Sequence, residues 1–145
     1  MKRPATVWIT QALIAIFASI WLFSLAFNLL MLFRNGTDAS PLRVVIGTAI
    51  LFAVILLFLI AFWGLAKRRM YGKWLGVLSL GLLWGAIVYT QIRPPAGPIK
   101  RFEYNSTAEV VGASITSIFI SVGFLILIFR LAFNKRVAAF FERTA

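Results

Sequence analysis

The chain reads as an all-α integral membrane protein: four transmembrane helices in an up-down-up-down bundle, with a short amphipathic C-terminal tail. Three observations predict this. Four long apolar stretches, at 6–33, 44–66, 74–91 and 110–133, are separated by short polar breaks. Of the 145 residues, 61% are hydrophobic and 13% charged, more apolar surface than a soluble domain of this size can hide. The charges sit in the breaks and at the ends. Residues 1–145 form a single membrane domain with no room for a second.

The first stretch follows Met1-Lys2-Arg3-Pro4 and resembles a secretory signal, with Ser24-Leu25-Ala26 as a small-x-small site. It is longer than a signal core of about 7–15 residues, so it is read as the first transmembrane helix. The second and fourth stretches hold enough apolar residues to cross a hydrocarbon core of ~30 Å. The third is shorter and bracketed by Lys73 and Arg93, which suits a steep span. The first outer break turns on Asn35-Gly36 and Ser40-Pro41. In the second, Pro94-Pro95 and Gly97-Pro98 stop the third helix. There Ile99–Tyr104 extends along the surface, and Asn105-Ser106-Thr107 caps the fourth helix with Glu109 in its first turn. N-x-T sequons fall at Asn35 and Asn105, where chance in polar turns is the favoured explanation. In the tail, 134–145, Val137, Phe140 and Phe141 share one face, and the piece is expected to continue the fourth helix and then lie in the head-group layer.

Charge sets the orientation. Ten cations (Lys2, Arg3, Lys67, Arg68, Arg69, Lys73, Arg130, Lys135, Arg136 and Arg143) collect on one side and five (Arg34, Arg43, Arg93, Lys100 and Arg101) on the other. The positive-inside rule places both termini and the 67–73 loop in the cytoplasm, and the chain suits a bacterial inner membrane. Trp8, Trp63, Tyr71 and Trp74 fall at the inner boundary and Tyr89 at the outer, as amphipathic rings prefer. The net charge of +11 is split among helix ends, which argues against a nucleic-acid face.

The chain has no cysteine and no histidine, and only Asp38, Glu103, Glu109 and Glu142 as carboxylates. No catalytic residues, cofactor or metal ligands are therefore assigned, and a non-enzyme is expected. No ionisable side chain falls in the middle of a predicted span, which argues against proton relays and ion pathways. The plan is similar to that of the small multidrug-resistance antiporters only in its helix count, because those require a carboxylate in the first helix.

Three residue sets are candidates. Gly72, Gly76, Gly81 and Gly85 form two G-x-x-x-G pairs, and Ala113, Ser117 and Ser121 form a small-residue stripe. Such surfaces let helix backbones approach closely. The glycine pairs project about 140–180° apart, so the third helix is expected to press on two neighbours. Asn28, Thr48 and Ser114 share one depth, with Ser24 one turn below Asn28; Trp21, Trp84 and Ser117 share a second depth. Asn28 is expected to point into the bundle and to hydrogen-bond one of Thr48, Ser114 or Ser24, gluing helices or lining a small polar pocket. Lys67, Arg68, Arg69, Lys73, Lys135 and Arg136 are expected to meet anionic lipids or a partner at the cytoplasmic face.

The functional expectation is an accessory or structural subunit, or a self-associating bundle, acting through helix packing and lipid contact. Its partners are the bilayer, anionic lipid, and a second copy or a membrane complex, with no nucleic acid. The alternatives are a small channel or carrier for a neutral or lipid-like substrate, and a membrane-anchored sensor or effector with a basic docking face.

Overall fold

A computed structural model describes residues 3–35, 41–92 and 107–142. The side chain of Asn35, the sequon at Asn105, Pro94–Tyr104 and the side chains of Arg34, Arg43 and Ala113 lie outside the described residues. What is described is helical: α1 (Ala5–Asn35), α2 (Pro41–Ala66), α3 (Met70–Ile92), α4 (Thr107–Phe133) and α5 (Lys135–Glu142). The first four are each long and apolar enough to span a membrane. Six of their eight ends outrun the apolar stretches, by one to four residues, because helix geometry carries on into the polar boundary.

Local chemistry sets the helix ends. The Pro4 carbonyl accepts from the Val7 and Trp8 amides at 3.0 and 3.3 Å and opens α1. Pro41 opens α2, a first-turn position that needs no amide donor. At the other end of α2 the Arg69 amide bonds Gly64 O at 2.9 Å and the Arg68 amide bonds Leu65 O at 3.4 Å. This is a Schellman closure. The residue that usually takes the left-handed position is glycine, but here it is Arg68, at φ 56°. The Arg68 guanidinium carbon lies 4.7 Å from the Phe140 ring centroid, which gives the arginine a reason to be there. Arg68→Ala is expected to be less stable than Arg68→Gly by about 1 kcal/mol in a detergent melt, because both lose the ring contact and only alanine keeps the positive-φ strain.

The α2–α3 hairpin is the tightest contact in the fold. Gly64 and Gly72 stand four residues either side of Arg68, so the reversal brings them face to face. A β-carbon at Gly64 would lie 2.6 Å from the Gly72 α-carbon. Gly76 follows one turn later, where a β-carbon would meet Leu131 and Leu65 side chains at 3.2 and 3.3 Å. α1 packs mainly on α2, and α4 on α3; α1 also touches α3 and α4.

The core is unevenly distributed. Val7, Ile14, Phe58, Ala61, Leu65, Leu80, Leu83, Phe124 and Leu131 form one buried cluster between the middle of the bundle and the end that carries the 67–69 turn. We call this the turn end. Away from it burial nearly stops: α2 has no buried side chain between 42 and 54, α3 none past Leu83, and α4 none between 111 and 123, among the described residues. Phe23, Phe27, Ile46, Ile50, Ile118 and Phe119 are exposed there.

The tail departs from expectation. The helix breaks at Asn134 instead of continuing. The Asn134 amide still bonds Arg130 O at 3.2 Å, while its Oδ1 accepts from the Arg136 amide at 2.9 Å. One residue thus ends α4 and caps α5. The apolar face of α5 turns onto the protein, not outward: Val137, Phe140 and Phe141 are buried in the common core. Phe140 and Phe141 meet edge to face, with ring centroids 5.3 Å apart and planes at 87°, and α5 packs against α3 and α4.

Candidate functional site: the basic, aromatic turn end

The turn end gathers the cations. Lys67, Arg68, Arg69, Lys135 and Arg136 are exposed around it. Trp8, Trp63, Tyr71 and Trp74 are exposed beside them. Cations pair with rings: Lys67 Nζ lies 5.1 Å from the Trp63 centroid and Lys73 Nζ 5.0 Å from that of Trp74. Lys73 is not the exposed loop cation expected. α3 begins at Met70, so Lys73 falls in its first turn, on the face with Gly72, Gly76 and Leu80, and is 4% exposed. Its stem packs and its ammonium reaches toward Trp74, so it offers little to a lipid.

Arg3 completes the cluster and had no specific place in the sequence reading. Its Nη1 donates to Gln11 Oε1 at 2.6 Å and its Nη2 to Ala66 O at 3.2 Å. It therefore satisfies a terminal carbonyl of α2 and pins the chain's start to the hairpin turn. No sequence signal distinguishes this arginine from Lys2 beside it. Next to it a groove of about 160 Å³ opens between α1 and α2, lined by Ala15, Ala18, Ser19 and Leu22 on one side and Ile55, Leu59 and Phe62 on the other.

Of the packing residues, Gly72 and Gly76 are buried at helix crossings. Gly81 and Gly85 are not: a β-carbon at either meets nothing within 4 Å. The second glycine pair is not a crossing among the described residues, because at that level the packed face of α3 is carried by Leu80 and Leu83 and both glycines lie off it. Ser117 and Ser121 are half-buried on α4. It follows that Gly81→Leu and Gly85→Leu should leave the melting temperature of the monomer near that of the wild type. Leu83→Ala, at a site only 2% exposed, should lower stability by about 2–5 kcal/mol. This reverses the order that the glycine spacing alone suggests, and a detergent melting series reads it.

The polar levels are not assembled into a pocket among the described residues. Asn28 is exposed and faces away from the bundle. Its Nδ2 donates to Ser24 Oγ at 3.5 Å on the same helix, one of the three expected partners, so the hydrogen bond is met and the inward orientation is not. Thr48 is half-buried, and Ser24 and Ser114 are exposed. Trp21 is half-buried and packs on Phe58 with ring centroids 5.0 Å apart. The Trp84 indole nitrogen is buried without a hydrogen-bond partner, as are the hydroxyls of Thr10 and Ser79. The last two lie on the packed faces of α1 and α3.

Comparison with protein-family models, with curated proteins and with solved structures gives no match.

Proposed function

We propose that this is a four-span membrane protein of the bacterial inner membrane, alternating up-down-up-down with both termini and the 67–73 turn in the cytoplasm. In this reading it acts without catalysis, as a self-associating or accessory subunit. The observation that carries the reading is the division of its glycines. Gly64, Gly72 and Gly76 are buried at crossings near the turn, whereas Gly47, Gly81, Gly85, Gly112 and Gly123 have open space where a side chain would stand. A helical glycine costs about 1 kcal/mol relative to alanine. Five unpaired ones suit the close approach of a second copy's backbone, which in lipid is a main source of association energy. The outward position of Asn28 weighs against a polar transport path through one copy.

The exposed cations favour one addition to this reading, contact with anionic lipid at the cytoplasmic face. The membrane setting is tested by a reporter fused after Ala145, together with alkaline carbonate washing of membranes. The expected result is a cytoplasmic reporter signal on a protein that stays in the pellet. A periplasmic signal would overturn the orientation, and release into the wash would overturn insertion.

A further inference from the structure

Two cations head the α1–α2 groove, and we infer that the groove binds one anionic glycerophospholipid, with an acyl chain between the helices and its phosphate at Arg3 and Lys67. The inference rests on the membrane setting proposed above and specifies its lipid contact.

Helical spacing carries the argument. On α2, Ile55, Leu59, Trp63 and Lys67 succeed one another at four-residue intervals and form one ridge. Ile55 and Leu59 wall the groove, Trp63 stands exposed beyond it, and the Lys67 ammonium lies over the Trp63 ring. On α1, Ala15 in the groove is one turn from Gln11, which holds the Arg3 guanidinium. The same guanidinium bonds Ala66 O, one turn beyond Phe62 on the opposite wall. Both walls of the groove therefore lead toward Arg3, and Lys67 follows on the exposed side of the α2 wall. At 1.5 Å per residue Phe62 lies about 8 Å, and Ile55 about 18 Å, from Lys67 along α2. One leaflet's hydrocarbon is about 15 Å deep, so the groove, about 10 Å long on α2, holds the middle and inner part of an acyl chain whose head group lies at the cations.

The lining and the head together define the ligand. Ser19 Oγ donates to Ala15 O at 2.8 Å, so the groove presents no unspent polar group and takes an apolar chain. No carboxylate pairs with Arg3 or Lys67 among the described residues, so their charge is open to an anionic head group there. Arg3 retains N–H groups beyond the two it uses, in the fork geometry that matches a phosphate.

Native mass spectrometry of the full chain tests this, in non-ionic detergent doped with phosphatidylglycerol or phosphatidylcholine of equal acyl composition. Each cation is worth about fivefold toward an anionic head group, so one phosphatidylglycerol should be retained about 25-fold more tightly than phosphatidylcholine. Lys67→Gln should lower that preference about fivefold. Ser19→Phe, at an exposed position, should fill the groove and remove retained lipid of either kind, and Ala15→Phe repeats the test should that variant fold poorly. Equal retention of the two lipids by the wild type would overturn the site, as would undiminished phosphatidylglycerol on a folded groove-filled variant. A dimer peak in place of the lipid adduct, lost in Ser19→Phe, would overturn it by giving the groove to a second copy. Carbonate release of the protein would overturn the membrane setting itself, whereas a membrane-retained chain that does not select phosphatidylglycerol would overturn only the lipid site.

Discussion

Gly72→Leu is expected to prevent the α2–α3 hairpin from closing. A β-carbon at Gly72 would fall on the Gly64 carbonyl carbon and 2.5 Å from the Leu65 amide nitrogen. These are backbone atoms, so no rotamer change relieves the overlap and the two helices must separate. Overpacking against movable side chains costs about 1–3 kcal/mol, and a backbone collision belongs at or above the top of that range. The hairpin also carries Arg68, Gly76 and the α5 contact, so separation at Gly72 removes their packing as well. In a detergent melting series Gly72→Leu should lose its cooperative transition while Gly81→Leu keeps it. Similar melting of Gly72→Leu and the wild type would mean that the crossing at Gly64 does not exist.

The second large effect is expected at Phe141. It is 1% exposed and is one of only three apolar anchors on a helix that is otherwise mostly charged or small. In the proposed setting α5 lies at the aqueous boundary, where the hydrophobic effect acts on it in full, unlike the lipid-facing helices. Loss of a buried phenylalanine costs about 3–5 kcal/mol, enough to undock an eight-residue helix while the spans stay folded. The chain lacks cysteine, so a single cysteine placed at Ala139, half-buried on α5, reports undocking directly. Its maleimide labelling should accelerate about 100-fold or more in Phe141→Ala, the change in exposed population that such a loss implies. Phe133→Ala, at an exposed site, should leave the rate unchanged. Equal rates in both variants would show that Phe141 does not hold the helix.

Much of the fold was legible because the strongest signal was the simplest. The long apolar stretches interrupted by charge gave four helices with ends within a few residues of α1 to α4. Side-chain environment was harder to read. A G-x-x-x-G spacing describes a surface that permits close approach, and it says nothing about whether a neighbour arrives. At Gly72 one does, because the turn at Arg68 brings Gly64 across; at Gly81 and Gly85 none does. Gly64 belongs to no such motif, and its signal was its position opposite Gly72 about the turn. Depth matching failed for Asn28 for a related reason: equal depth aligns residues along the membrane normal but leaves their helical faces unspecified. In α5, amphipathicity was legible, but the surface that receives the apolar face depends on the whole turn end. Arg3 reaches Ala66 across 63 residues of sequence, a contact that no local pattern encodes.

In the proposed function, the half of the bundle away from the turn, left uncovered in one copy, is where a second copy packs. Oxidative cross-linking of single-cysteine variants in native membranes tests it most directly. Phe119→Cys and Gly85→Cys, both exposed in that half, are expected to form disulfide-linked dimers in high yield. Leu78→Cys, also exposed but on the turn-end half, is expected to stay monomeric. Monomers at all three positions, or dimers at Leu78→Cys alone, would contradict the claim.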